Sequence, residues 1–166
     1  MNYAGLSGLS QENMEEWFRN RLAPTTPMLQ SGLVGKMQPS FVRCNFEEGT
    51  AVMSYAVMPW EMNPQNVMHG GILSSAFDTT LGILCHYYHL PHNLTTINIS
   101  TTFIKPVFAD NTLYMEAKID HLGNSLVTTS GKVWIDDENN PVAICNATFK
   151  VFRTHAKRAA RKEDLI

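Results

Sequence analysis

The chain has 166 residues, 44% of them hydrophobic and 17% charged, which suits one globular domain and excludes both disorder and a coiled coil, since each demands more charge. Thirteen Lys and Arg face fifteen Asp and Glu, for a net charge of −2, so the broad basic field of most nucleic-acid binders is missing. The three cysteines, Cys44, Cys85 and Cys145, form no Cys-x-x-Cys pair and read as free thiols of a reducing compartment. No apolar run approaches the roughly 20 residues of a membrane-spanning helix, and the first ten residues lack a signal-peptide pattern. Cytoplasmic residence without a membrane partner is the expectation.

Ser10 precedes Gln11 to Leu22, where early acidic and late basic residues predict a helix ending at Pro24. Thr25 to Gly32, which follows Pro24 and contains Pro27, reads as a connector. Phe41 to Phe46 and Thr50 to Val57, separated by Glu47-Glu48-Gly49, predict a hairpin. Pro59 to Met68 is too rich in Asn, Pro and Gln for a regular element, whereas Gly70 to Tyr88 predicts a long helix buried nearly all round. Four strand candidates follow: Thr95 to Lys105, Thr112 to His121, Ser125 to Ile135 and Val142 to Phe152. Leu113, Met115, Ala117 and Ile119 alternate with polar residues, as in a sheet with one covered side, and Ala143 to Val151 repeats the pattern. The economical packing is an α+β fold in which a curved antiparallel sheet of about six strands wraps the long helix, with an extra N-terminal helix. The divisions are 1–32 (helix and connector), 33–152 (main domain) and a basic tail, 153–166. The tail holds five of the 13 basic residues, leaving an acidic body.

Chemistry concentrates between Asn63 and Asp78. Two glycines, Gly70 and Gly71, open the long helix behind His69, where unshielded N–H groups at the positive end of the dipole can meet a developing oxyanion. A bare His-Gly-Gly is equally an ordinary tight turn into a helix. Asp78 lies well inside an apolar helix, where a carboxylate must be paired, hydrogen-bonded or in contact with a polar cavity. Helical spacing sets Gly71, Ser74, Ser75 and Gly82 beside it, a strip of small and polar groups that a substrate could approach. A structural aspartate bonded to Ser74 or a loop is the plainer alternative. Gly70 and Asp78 are eight residues apart, about 12 Å at 1.5 Å per residue, too far to act on one carbonyl. If both are catalytic, two antiparallel copies of the helix must share each site, with Asp78 of one subunit facing Gly70 of the other.

The pattern Asn63-x5-His69-Gly70-Gly71-x6-Asp78, entering a long helix followed by four strands, resembles the hotdog-fold acyl-CoA thioesterases of the phenylacetic acid degradation type, over roughly Leu33 to Phe152. The resemblance implies hydrolysis of an acyl-CoA thioester by a homodimer, arranged as a dimer of dimers, without cofactor. It implies that the Gly70 amide polarises the thioester carbonyl, that Asp78 is general base or nucleophile, and that His69 and Asn63 position substrate or water. Thr96 matches a hydroxyl that the family often carries near the acid of the neighbouring subunit. Many relatives have glycine between the Asn and the His; this chain has Asn66, which tolerates the left-handed backbone better than most residues.

Coenzyme A phosphates need cations, and Lys105, Arg153, Lys157 and Arg158 are the candidates. Lys105 is otherwise a solvated strand-end charge. Gly71, Ser74, Ser75 and Lys105 are the expected substrate contacts. His86, His89 and His92 recur at three-residue spacing, but Pro91 interrupts them and no Cys or acidic ligand adjoins, so no metal is expected. Met53, Met58, Met62 and Met68 read as acyl-tunnel lining or as core filler, and Cys85 as a buried small hydrophobe. A non-catalytic acyl-CoA-binding effector module is the alternative function. The carboxylate at 78 favours the enzyme, and Gln11 to Leu22 is no helix-turn-helix. A dehydratase would want another Asp and His arrangement.

Overall fold

Ser10 opens the first helix, α1 (Gln11–Arg21), by accepting a hydrogen bond from the Asn13 N–H at 3.2 Å, which satisfies one of the N–H groups a helix start leaves without partners. In the computed structural model, which describes residues 9–152, this helix buries Met14 and Phe18. Phe18 stacks on Phe41 at 5.4 Å between ring centroids and leans on Tyr87 at 6.2 Å. The expected connector from Thr25 to Gly32 is instead helical in part, with α2 (Pro27–Gln30) and α3 (Gly32–Met37). Pro27 stands in the first turn of α2, where its fixed φ and missing N–H favour initiation, so this proline starts a turn rather than breaking one.

The hairpin forms as β1 (Ser40–Asn45) and β2 (Thr50–Ala56), and the long helix as α4 (Gly70–His89). Between them the chain makes only a single 3-10 turn, Pro59–Glu61, and one bridge between Met62 and Met68. Then come β3 (Asn93–Phe103), β4 (Thr112–Leu122), β5 (Leu126–Trp134) and β6 (Ala143–Phe152). All six strands share one sheet in the order β1-β2-β4-β5-β6-β3, and every neighbouring pair is antiparallel. The α+β arrangement of one sheet around one long helix is the architecture expected.

Period-two alternation puts Leu113, Met115, Ala117 and Ile119 on the covered face, each fully buried. Across that face Ala51, Ala117, Gly131, Cys145 and Thr101 stand opposite one another on five successive strands. This row of small side chains is a trough into which α4 settles. Phe77 lies over Gly131 so closely that a Cβ there would come within 3.2 Å of the ring and 2.9 Å of the Glu116 carbonyl oxygen. Ser74 donates a hydrogen bond to Thr101 at 3.1 Å at the end of the row.

The long helix is not buried all round, as its composition suggested. Leu73, Phe77, Leu81, Leu84 and Tyr88 are buried, whereas Gly71 is exposed and Ser74, Ser75, Asp78, Thr79, Gly82 and His86 are only partly covered. The sheet wraps one side of α4 and leaves this stripe open, because its small and polar residues offer little apolar area to bury. The two sheet edges also differ. Gln11 closes the β1 end, its Oε1 accepting the Phe46 N–H at 2.8 Å and its Nε2 donating to the Cys44 carbonyl at 3.0 Å. The β3 end carries Ile97 and Phe103 at 57% and 52% exposure.

Gly131→Ala tests the trough: the added methyl meets backbone on one side and the Phe77 ring on the other. It should lower the unfolding free energy by about 1–3 kcal/mol, seen as a lower urea midpoint at unchanged slope.

Candidate active site

The loop ahead of α4 is built by its own side chains. Asn63 Oδ1 accepts the N–H groups of Gln65 at 2.8 Å and Val67 at 3.3 Å, a turn that asparagine forms readily. Asn66 adopts φ +60°, the left-handed conformation in which glycine costs least and asparagine little. Glu61, which the sequence reading missed, is buried at 3% exposure. Its carboxylate accepts the Met58 N–H at 3.0 Å, and its backbone carbonyl accepts the His69 N–H at 2.8 Å. Burial raises its pKa above the ordinary carboxylate value, and the Met58 N–H opposes the shift. Its signal in the sequence was a carboxylate at the third position of a proline-initiated turn.

His69 is the N-cap of α4, and its Nδ1 accepts the Gly71 N–H at 3.0 Å. Asn63 Oδ1 and His69 Nδ1 therefore hold backbone. The Gly70 N–H meets no acceptor among the described residues. The Phe103 ring packs over Gly70, 3.0 Å from where a Cβ would stand, so only glycine lets the ring come so near.

Asp78 is half-buried on the open stripe two turns further along α4. Thr96 Oγ1 donates to its Oδ1 at 2.6 Å, a short charge-assisted bond that fixes the carboxylate. Thr96 thus meets Asp78 of its own chain: β3 runs back along α4 and carries Thr96 to Asp78. Ser75 donates back to the Gly71 carbonyl at 2.8 Å and Ser74 is bonded to Thr101. Both expected substrate-contact hydroxyls are therefore already engaged.

Two clefts result. One, of about 530 Å³, holds Asp78 and Thr96 with Thr79, Gly82, His86 and Arg21. The other, of about 340 Å³, holds Gly70 with Met68, Phe103 and Lys105. Lys105 bonds Asn140 through its ammonium group. One chain thus brings Lys105 to Gly70 and Thr96 to Asp78, but does not bring Gly70 and Asp78 into one cleft. Arg153, Lys157 and Arg158 lie outside the described residues.

The remaining candidates divide. The ring nitrogens of His89 sit 3.0 Å from the Cys85 carbonyl and 3.1 Å from the Gly123 carbonyl. Among the described residues no group of three His, Cys, Asp or Glu is placed to hold a metal. Met53 is core, Met58 is exposed and Met68 lines the Gly70 cleft. Cys85 is buried, and burial raises its thiol pKa.

The thioesterase superfamily model matches residues 65–142, the span that contains His69, Gly70, Gly71, Asp78 and Thr96. Over this segment the chain is similar to the thioesterase superfamily. Its hotdog fold is shared with the PaaI protein of the phenylacetic acid degradation operon of E. coli, at TM-score 0.71 and 18% identity over 87% of this chain and 97% of that one. It is also shared with an acyl-CoA hydrolase from Staphylococcus aureus solved with butyryl coenzyme A, at TM-score 0.58 and 23% identity over 64% and 68%. The protein VdlD of Helicobacter pylori is 32% identical over 87 residues, 52% of this chain and 49% of VdlD. The chain therefore spans about half the length of the curated relative it matches. No helix among the described residues is long and apolar enough to cross a membrane.

If His69 acts as a cap, His69→Ala should cost about 1 kcal/mol of stability and His69→Asn, which supplies another capping oxygen, much less. Urea unfolding of the two variants measures the difference.

Proposed function

We propose that this chain hydrolyses acyl-CoA thioesters as a homodimer, each site combining Asp78 of one subunit with the Gly70 N–H of the other. The observation that carries this reading is the separation of the two groups. They lie on one helix, about 12 Å apart along its axis, and open into different clefts of the same chain. Two helices running antiparallel along their open stripes would bring each Asp78 to the partner's Gly70. The long β3 edge, with Ile97 and Phe103 exposed on it, supports pairing at the same side of the molecule.

In such a site the thioester carbonyl oxygen points at the Gly70 N–H, where the positive end of a 20-residue helix stabilises the oxyanion. Thr96 holds Asp78 Oδ1 and leaves Oδ2 for the reaction. As general base, Asp78 takes a proton from water as its oxygen attacks the carbonyl carbon. As nucleophile it bonds that carbon itself, and water later cleaves the acyl-aspartate. In both routes the carbon–sulfur bond breaks, the coenzyme A thiolate leaves, and it acquires a proton. Lys105, in the Gly70 cleft, is a cation for coenzyme A phosphates. The likeness to a superfamily that includes PaaI and a coenzyme A-bound hydrolase supports the same chemistry. The fixed carboxylate favours catalysis over an effector module, which would need no base.

Asp78→Asn keeps the volume and removes the charge, so turnover of acyl-CoA esters should fall about a hundredfold or more with the dimer intact; near-normal thiol release from the variant overturns the assignment. Gly70→Pro removes the N–H at a first-turn position whose φ proline can adopt, at the cost of displacing the Phe103 ring, so circular dichroism first establishes that the variant folds. Mixed with Asp78→Asn chains, it should restore about a quarter of wild-type activity, because half the dimers are mixed and each mixed dimer has one intact site. No recovery in folded mixed dimers rejects the shared site.

A further inference from the structure

The cleft beside Asp78 is lined in part by a segment outside the superfamily match: Met28 of α2, Val34 of α3 and, at the end remote from Asp78, the exposed Arg21 of α1. Ile83, Leu94 and Phe149 give it an apolar wall suited to an acyl chain, beside the polar Thr79, Asn93 and Thr95. His86 stands at the same end, two turns beyond Asp78 and about 12 Å from it along the helix. Its ring lies 6.0 Å from that of Trp17, centroid to centroid. Burial, followed by the charges of Arg21 and His89, lowers the His86 pKa, so at neutral pH the cation of this end is Arg21.

Arg21 differs from its neighbours in charge. Arg19, on the same helix, pairs with Glu15 at 3.0 Å and Lys105, in the other cleft, bonds Asn140, but no carboxylate of the described residues lies within ion-pair distance of the Arg21 guanidinium. The acid of this cleft, Asp78, is at the opposite end and bonded to Thr96. A planar five-donor cation without an acidic partner, exposed at the end of a cleft with an apolar wall, can receive a carboxylate carried there by an acyl chain.

We infer that the chain selects acyl-CoA thioesters whose acyl group ends in a carboxylate, with Arg21 as the specificity-determining residue that receives it. The inference rests on the reading that Asp78 faces the thioester. The anion could instead be a coenzyme A phosphate, which every ester carries, so the test compares esters that differ only at the distal end.

Suberyl-CoA and octanoyl-CoA differ in that carboxylate alone. Thiol release by the wild-type chain should favour suberyl-CoA in kcat/KM. Arg21→Met should lower kcat/KM for suberyl-CoA about tenfold or more, the worth of one charge-assisted bond, with octanoyl-CoA unchanged and Arg21→Lys intermediate. Equal losses on both esters would assign Arg21 to the phosphates and overturn the inference, and so would no loss on either. Calorimetric binding of both esters to Asp78→Asn chains, with and without Arg21→Met, separates the two readings. Suberyl-CoA bound more tightly only when Arg21 is present supports the subsite even where wild-type turnover is nil, a result that would refute hydrolysis. Equal binding in all combinations overturns the subsite even where turnover is fast.

Discussion

A helix can lie in the hollow of a sheet only as deeply as the side chains beneath it allow. Here the row Ala51, Ala117, Gly131, Cys145 and Thr101 sets that depth. The Phe77 ring fills the space that a larger residue at 131 would take, and burying an aromatic ring against a tightly packed face contributes more than any surface contact of the chain. Once Phe77 points inward, helical periodicity turns Ser74, Ser75, Asp78 and Gly82 away from the deepest part of the core. The open stripe is thus the other side of a packing decision.

The same placement accounts for the chemistry available to the stripe. A carboxylate on α4 could not stay charged beneath the sheet without several kcal/mol of desolvation; at the margin it stays half-exposed and is oriented by one hydroxyl from β3. The amide at the start of α4 is likewise kept open by a loop that satisfies its own polar groups. Asn63 turns the backbone, Glu61 anchors it, and His69 takes the second N–H of the helix but leaves the first. A loop with those polar groups unsatisfied would compete for the Gly70 amide.

The strands and the long helix were legible because their signals are periodic. Leu113 to Ile119 and Ala143 to Val151 alternate without interruption, and Gly70 and Pro91 bracket a single proline-free run. What stayed hidden depends on partners distant in sequence. Nothing local shows that β3 pairs with β6 rather than with β4, the strand that follows it, or that Thr96 would meet Asp78 of its own chain. The helical connector was hidden for a different reason, since proline punctuates a helix start as readily as it ends one and the string Thr25 to Gly32 contains both readings. Arg21 looked like an ordinary cation of a helix end, and only the tertiary placement of α1 against α4 brings it to the Asp78 cleft. His69 and Asn63 were found by pattern, but their local roles as cap and turn former emerged only from which hydrogen bonds they make.

Gln11 has a further consequence for the sheet as a whole. Its side-chain amide offers one acceptor and one donor to the backbone at the end of β1, in the manner of a peptide group on an absent seventh strand. A further strand arriving at that end of β1 finds the Cys44 carbonyl and the Phe46 N–H already taken, so the backbone ladder extends there only by first displacing Gln11.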